Sequence, residues 1–182
     1  MNRFIAVVAG FLICAGGVNA QALLQPESFF IHLGSANSTN SLTGGLTWNW
    51  DRNWDLGSGQ LSGFFESFLS VWTYPDGTAP GHTQLAQFGL TPVFRWTPSH
   101  GQSPWFVEGG IGLTLTSKLY KPTGKRFSTA FNFGDQIAAG RRFGESRQHE
   151  VSLRVQHFSN GAMKHPNPGE NFVQVRYAYR FQ

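Results

Sequence analysis

The closing stretch of the chain, Phe172 to Gln182, alternates without a break: Val173, Val175, Tyr177, Tyr179 and Phe181 interleave with Gln174, Arg176, Ala178, Arg180 and Gln182. An extended backbone sends successive side chains to opposite faces, so such a stretch is a strand with one apolar and one polar face. A helical period of 3.6 would scatter the two sets around the axis. Whatever this chain folds into must give each strand two different environments.

The same dyad pattern recurs upstream. Strand-like runs are read at Ser28 to Ala36, Leu42 to Trp50, Gln60 to Tyr74, Leu85 to Trp96, Trp105 to Thr116, Phe131 to Phe143 and Val151 to Ser159, with Phe172 to Gln182 as the eighth. In the third, Leu61, Phe65, Leu69 and Val71 oppose Gln60, Ser62, Glu66 and Ser70; in the fifth, Val107, Ile111, Leu113 and Leu115 oppose Glu108, Gly110, Gly112 and Thr114. Pro92 interrupts the fourth run and predicts a bulge or kink there. No convincing amphipathic helix intervenes.

The start of the chain says which two environments are meant. Asn2 and Arg3 precede the apolar run Phe4 to Cys14 and the small-residue exit Ala15 to Ala20, the layout of a secretory signal peptide over residues 1–20 with cleavage after Ala20. No segment reaches the roughly 20 apolar residues of a spanning helix. The single cysteine, Cys14, lies in that leader, so no disulfide is expected in the exported part. Charged residues make up only 13% of the chain and aromatics 15%, against roughly 25% charged in ordinary globular proteins. The formal net charge of +4 is too mild to suggest nucleic acid.

An even number of aromatic-rich dyad strands behind an export signal predicts an all-β fold: an eight-stranded antiparallel transmembrane β-barrel over residues 21–182, set in the outer membrane of a Gram-negative cell. Its apolar face meets lipid, while Glu66, Glu108, Arg95, Arg154, Arg176 and Arg180 fall on the inner face and are expected to pair there. With both termini in the periplasm, the outer loops are Asn37 to Ser41, Pro75 to Gln84, Ser117 to Ser128 and Asn160 to Asn171.

Parity then gives a surprising placement. His157 and Ser159 share a face with Val151, Leu153 and Val155, so a base and a hydroxyl stand on the lipid side at the outer end of the seventh strand. A serine hydroxyl attacks an ester only when a base takes its proton, and imidazole is the usual base. Glu170, the only acidic residue after Glu150, is brought toward His157 as the chain returns to pair the last two strands. Asn160 and the backbone amides of Gly161 and Ala162 are candidate oxyanion donors. Active centre and lipid would meet at the outer leaflet, which points to ester chemistry on a lipid.

The segment His157-Phe158-Ser159-Asn160, the later Asn167-Pro168-Gly169-Glu170-Asn171 and the aromatic closing strand resemble the PagL family of outer-membrane lipid A 3-O-deacylases. That resemblance implies a serine esterase with a His-x-Ser pair and a glutamate about a dozen residues on, removing the ester-linked hydroxyacyl chain at position 3 of lipid A. Ungapped family spacing falls on Asn171; the acid role is assigned to its neighbour Glu170. No cofactor is implied, and a homodimer is compatible with such a barrel.

Lys118, Lys121, Lys125 and Arg126 in the third outer loop, with Lys164 in the fourth, are candidate contacts to the phosphates and acidic sugars of lipopolysaccharide; an ordinary solvated loop has the same composition. His32, His82, His100 and His149 show no metal-ligand spacing, so no metal site is expected. Two other classes share the strand pattern: a structural or adhesive small barrel without catalysis, and another lipid-modifying enzyme such as a phospholipase or acyltransferase.

Overall fold

A computed structural model describes residues 25–181, so the expected leader at residues 1–20 lies outside the described residues. The strands are β1 (Ser28–Ala36), β2 (Thr39–Asn49), β3 (Trp54–Leu56), β4 (Gly59–Pro75), β5 (His82–Pro98), β6 (Trp105–Thr116), β7 (Phe131–Phe143), β8 (His149–Ser159) and β9 (Glu170–Arg180). All pairings are antiparallel. Because β1 pairs with β9 and β2 pairs with β4, eight of them close into a barrel without a free edge. The ninth, β3, joins only β4, through Trp54↔Leu61 to Leu56↔Gly59, as a flap beyond the closed ring. Three residues are too few to display an alternation, which is why the sequence pattern passes over it.

The register Ser28↔Arg180 puts the first and last strand ends side by side, so both described ends of the chain lie at one end of the barrel. At the other end β1 turns into β2 through Asn37 and Ser38, with Asn37 in the left-handed region at φ 47°. Asparagine is one of the few residues that enters this region readily.

Face assignment follows parity. Ile31, Leu33, Leu69, Ile111, Leu113, Ile137, Leu153 and Val175 are exposed on the outer wall, while Glu66, Glu108, Arg95, Arg154 and Arg176 are buried in the lumen. The lumen is a packed charge network. Arg154 grips Glu66 at 2.7 and 3.0 Å, and Arg95 grips Glu150 with two bonds of 2.7 Å while its Nε reaches Glu108 at 2.7 Å. Arg142 adds a 3.0 Å contact to Glu150, and Arg176 lies 3.6 Å from Glu66 and 3.7 Å from Glu150. Glu150, which sequence boundaries leave in a turn, is thus a full member of the network because β8 begins at His149. Arg180 instead donates to the backbone of Arg147 at the inner rim.

Pro92 leaves its mark as a gap rather than a bulge. The β5–β6 register runs Leu90↔Leu113 and resumes at Val93↔Gly110, three residues on in each strand, so nothing is inserted. Proline simply lacks the N–H the ladder needs.

The outer mouth is closed by aromatic packing. Tyr120 and Phe127, from the segment between β6 and β7, pack with Trp72, Tyr74, Leu85, Phe158, Phe172 and Ala36. The Trp72 ring lies 5.0 Å from Phe158 and 4.7 Å from Phe172. Phe158 and Phe172 point inward; their chain neighbours His157, Ser159 and Asn171 therefore point outward. The plug inside fixes the face shown outside.

Candidate active site

His157 and Ser159 stand half-buried on the outer wall near the end of β8. In the sheet, His157 is opposite Asp135 of β7 on one side and Asn171 of β9 on the other, and Ser159 is opposite Phe133. The imidazole turns toward β9. Its Nδ1 lies 2.6 Å from Oδ1 of Asn171. A carboxamide oxygen only accepts, so in this arrangement Nδ1 donates its proton; in the neutral ring that leaves the lone pair on Nε2, the form a general base requires.

Gly169 seats the other edge of the ring. It has φ +65°, and a Cβ there would lie 2.5 Å from Cε1 and 3.1 Å from Nε2 of His157. Only glycine satisfies both the backbone conformation and the close approach. The Asn167-Pro168-Gly169 turn signal in the sequence thus marks a contact with the imidazole as well as a bend.

The Ser159 hydroxyl and the His157 ring share no hydrogen bond in the structure. They are one pleat repeat apart, roughly 6–7 Å along the strand at the backbone, on one face. Such pairs tighten when substrate is bound, so an open resting geometry is compatible with proton transfer.

Glu170 does not take the place expected for it. It is the first residue of β9, opposite Phe158, and it faces the lumen at 2% exposure. There its carboxylate accepts from Asn37 Nδ2 at 2.9 Å, from the Tyr120 hydroxyl at 2.8 Å and from Lys125 Nζ at 3.1 Å. Starting β9 two residues earlier than the alternation alone suggests puts Glu170 and Asn171 inside the strand. Parity then turns the acid inward and the amide outward, beside His157. Burial, and the Glu170 carboxylate acting against an opposing hydrogen bond with Thr39, push the Tyr120 phenol well above its usual range, so Tyr120 stays a donor.

The Asn160 amide is engaged elsewhere. Its side chain is buried, and its Nδ2 donates to Ser128 Oγ at 3.0 Å and to the Lys164 carbonyl at 2.8 Å. Those donors are engaged in holding the loop, away from the face of Ser159. Gly161 and Ala162 differ. Both are exposed with φ of 61° and 63°, the two central positions of a turn closed by Met163 N–H donating to the Asn160 carbonyl at 3.2 Å. Their backbone amides have no partner among the described residues.

The basic residues separate into two groups. Lys125 is turned inward, ion-paired with Glu170 at 3.1 Å. Lys118 Nζ donates to Thr83 Oγ1 at 2.7 Å from an exposed position; Arg126 and Lys164 are exposed and Lys121 half-buried.

Two residues that sequence reasoning did not place at the site are Asp135 and, in the orienting role, Asn171. Family spacing pointed at Asn171. Asp135 has no local signal, since it reaches His157 only through β7–β8 pairing.

Comparison with known proteins agrees with this architecture. Residues 42–180 match the family model described as Lipid A 3-O-deacylase (PagL). The chain is 35% identical over 132 residues to Lipid A deacylase PagL of Bordetella bronchiseptica, covering 72% of this chain and 70% of that one. It is 30% identical over 126 residues to Lipid A deacylase PagL of Pseudomonas aeruginosa, covering 69% of each. The crystal structure of the outer membrane enzyme PagL superposes with a TM-score of 0.71 at 26% identity, over 85% of this chain and 99% of that one.

Proposed function

This chain belongs to the PagL family of lipid A 3-O-deacylases, and we propose that it hydrolyses the ester-linked acyl chain at position 3 of lipid A, with Ser159 as nucleophile, His157 as base and Asn171 as the group that orients the base. The barrel is an outer-membrane protein. The observation that carries the reading is the His157–Asn171 pair on the lipid-facing wall, level with the start of the outer loops. A soluble ester does not reach that surface. A lipid of the outer leaflet lies against it.

In the proposed reaction Ser159 Oγ attacks the ester carbonyl carbon as its proton passes to Nε2 of His157. The tetrahedral oxyanion is received by the free N–H groups of Gly161 and Ala162, a contribution of about 3 kcal/mol for one good donor. The C–O bond to the sugar then breaks, and Nε2 returns its proton to the departing sugar oxygen. Water, deprotonated by the same nitrogen, cleaves the acyl-serine and releases the fatty acid. Asn171 holds the ring without adding charge, the role an amide plays in Cys-His-Asn sites. Lys118, Lys121, Arg126 and Lys164 would meet the phosphates of the head group above the site.

Mass spectrometry of lipid A from cells expressing the wild type or Ser159→Ala tests the reading. Loss of one ester-linked hydroxyacyl chain with the wild type alone is expected. Loss with both would remove Ser159 as nucleophile; gain of a chain would indicate acyl transfer, and loss of acyl chains from phospholipid a phospholipase.

A further inference from the structure

Asp135 is exposed on the outer wall, directly across from His157, and its carboxylate has no hydrogen-bond or ion-pair partner among the described residues. The row Asn171, His157, Asp135 is the last polar one before the apolar band. The next residues inward on the same face are Val173 (54% exposed), Val155 (47%) and Ile137 (66%), themselves paired across β9, β8 and β7. An ionisable group at the edge of hydrocarbon is costly unless a partner arrives, and by default marks a functional position. His157 is not that partner, because its ring leans to the other side, onto Asn171 and Gly169.

The partner is defined by depth. If the ester carbonyl sits over Ser159, the sugar lies toward the outer loops and the acyl chain runs inward, past the row of Asp135, which is one pleat repeat below. The first few carbons of the chain therefore cross the carboxylate. A plain methylene chain gives it nothing to bind. A hydroxyl on those carbons donates one hydrogen bond to it.

We infer that Asp135 is a specificity residue that accepts a hydrogen bond from a hydroxyl near the carbonyl end of the scissile acyl chain, selecting 3-hydroxyacyl over plain acyl esters. The inference rests on the ester hydrolysis proposed above. A site built to pair with a substrate hydroxyl discriminates against the chain that lacks it, because the acceptor, once covered by the bound chain, is then left bare.

The test uses purified full-length barrel in mixed micelles and two lipid A-type substrates that differ only in the 3-hydroxyl of the chain at position 3. Wild type is expected to favour the hydroxylated substrate in kcat/KM by roughly 10- to 100-fold. In Asp135→Ala the ratio falls to near one; Asp135→Asn, which keeps an acceptor oxygen, retains part of it. An unchanged ratio in Asp135→Ala overturns the inference, as does the absence of a preference in the wild type. Equal loss on both substrates overturns it too, and assigns Asp135 to a shared feature such as the neighbouring amide. Ser159→Ala is run alongside: if it still cleaves, the reaction reading fails on its own, independently of the ratio. Heat-modifiable gel mobility confirms that each variant forms the barrel.

Discussion

Nδ1 of His157 lies 2.6 Å from Oδ1 of Asn171, so the group that orients the imidazole is an uncharged amide on the neighbouring strand. Glu170, the acid next to Asn171 in sequence, points the other way. This single contact separates the lipid-facing wall from the loop-holding interior.

Asn171→Ala removes the acceptor that holds the ring proton on Nδ1. The deacylation rate is expected to drop, by up to about 10⁴-fold, the size of the effect when a Ser-His-Asp site loses its orienting acid. KM should change little, since Asn171 meets the ring rather than the substrate. Steady-state kinetics in micelles give both constants.

Asn171→Asp keeps the shape and adds charge. A carboxylate at Nδ1 favours the protonated imidazolium, and a base must be neutral to accept a proton, so the acid limb of the kcat/KM profile is expected to move to higher pH. A limb that stays in place would mean that residue 171 does not touch the base.

Glu170→Gln distinguishes the two neighbours. It loses the ion pair with Lys125 and one of the two acceptor oxygens, keeping the other for either the Tyr120 or the Asn37 donor. Activity is expected to stay within roughly tenfold of wild type, far from the loss on removing a triad acid. Glu170→Ala is expected to loosen the outer loops, because Asn37, Tyr120 and Lys125 lose their shared acceptor and the Tyr120 hydroxyl keeps only Thr39. Protease sensitivity of residues 117–130 reads this out.

Gly169→Ala is expected to abolish turnover while the barrel still forms. The new methyl would overlap Cε1 of His157 at 2.5 Å, and alanine is strained at φ +65° by about 1 kcal/mol or more. The ring must swing off Asn171. Loss of activity with native gel mobility checks it.

Glu66→Ala strands Arg154, whose side chain is wholly buried, and is expected to cost about 3–5 kcal/mol. Replacing both residues by apolar side chains of similar volume should recover most of that loss. Urea midpoints of the refolded barrel measure the pair.

Much of the fold is legible along the chain, and the reason is covalent. In an extended backbone the face of each side chain follows from counting by two, so Val151, Leu153, Val155, His157 and Ser159 share the outer wall whatever the rest of the protein does. The same count sends Glu66, Glu108, Arg95, Arg154 and Arg176 inward. Pairing between strands is a different quantity, because it depends on where a loop releases the chain, and a one-residue shift exchanges the faces. The loop from Asn160 to Gly169 releases β9 at Glu170, which buries the acid under Tyr120 and sets Asn171 beside His157. In the same way only β7–β8 register brings Asp135 to His157, and only the folding of the outer loops over the barrel mouth turns Lys125 inward. Local geometry decided which side each group is on; the register and the loops decided who its neighbours are.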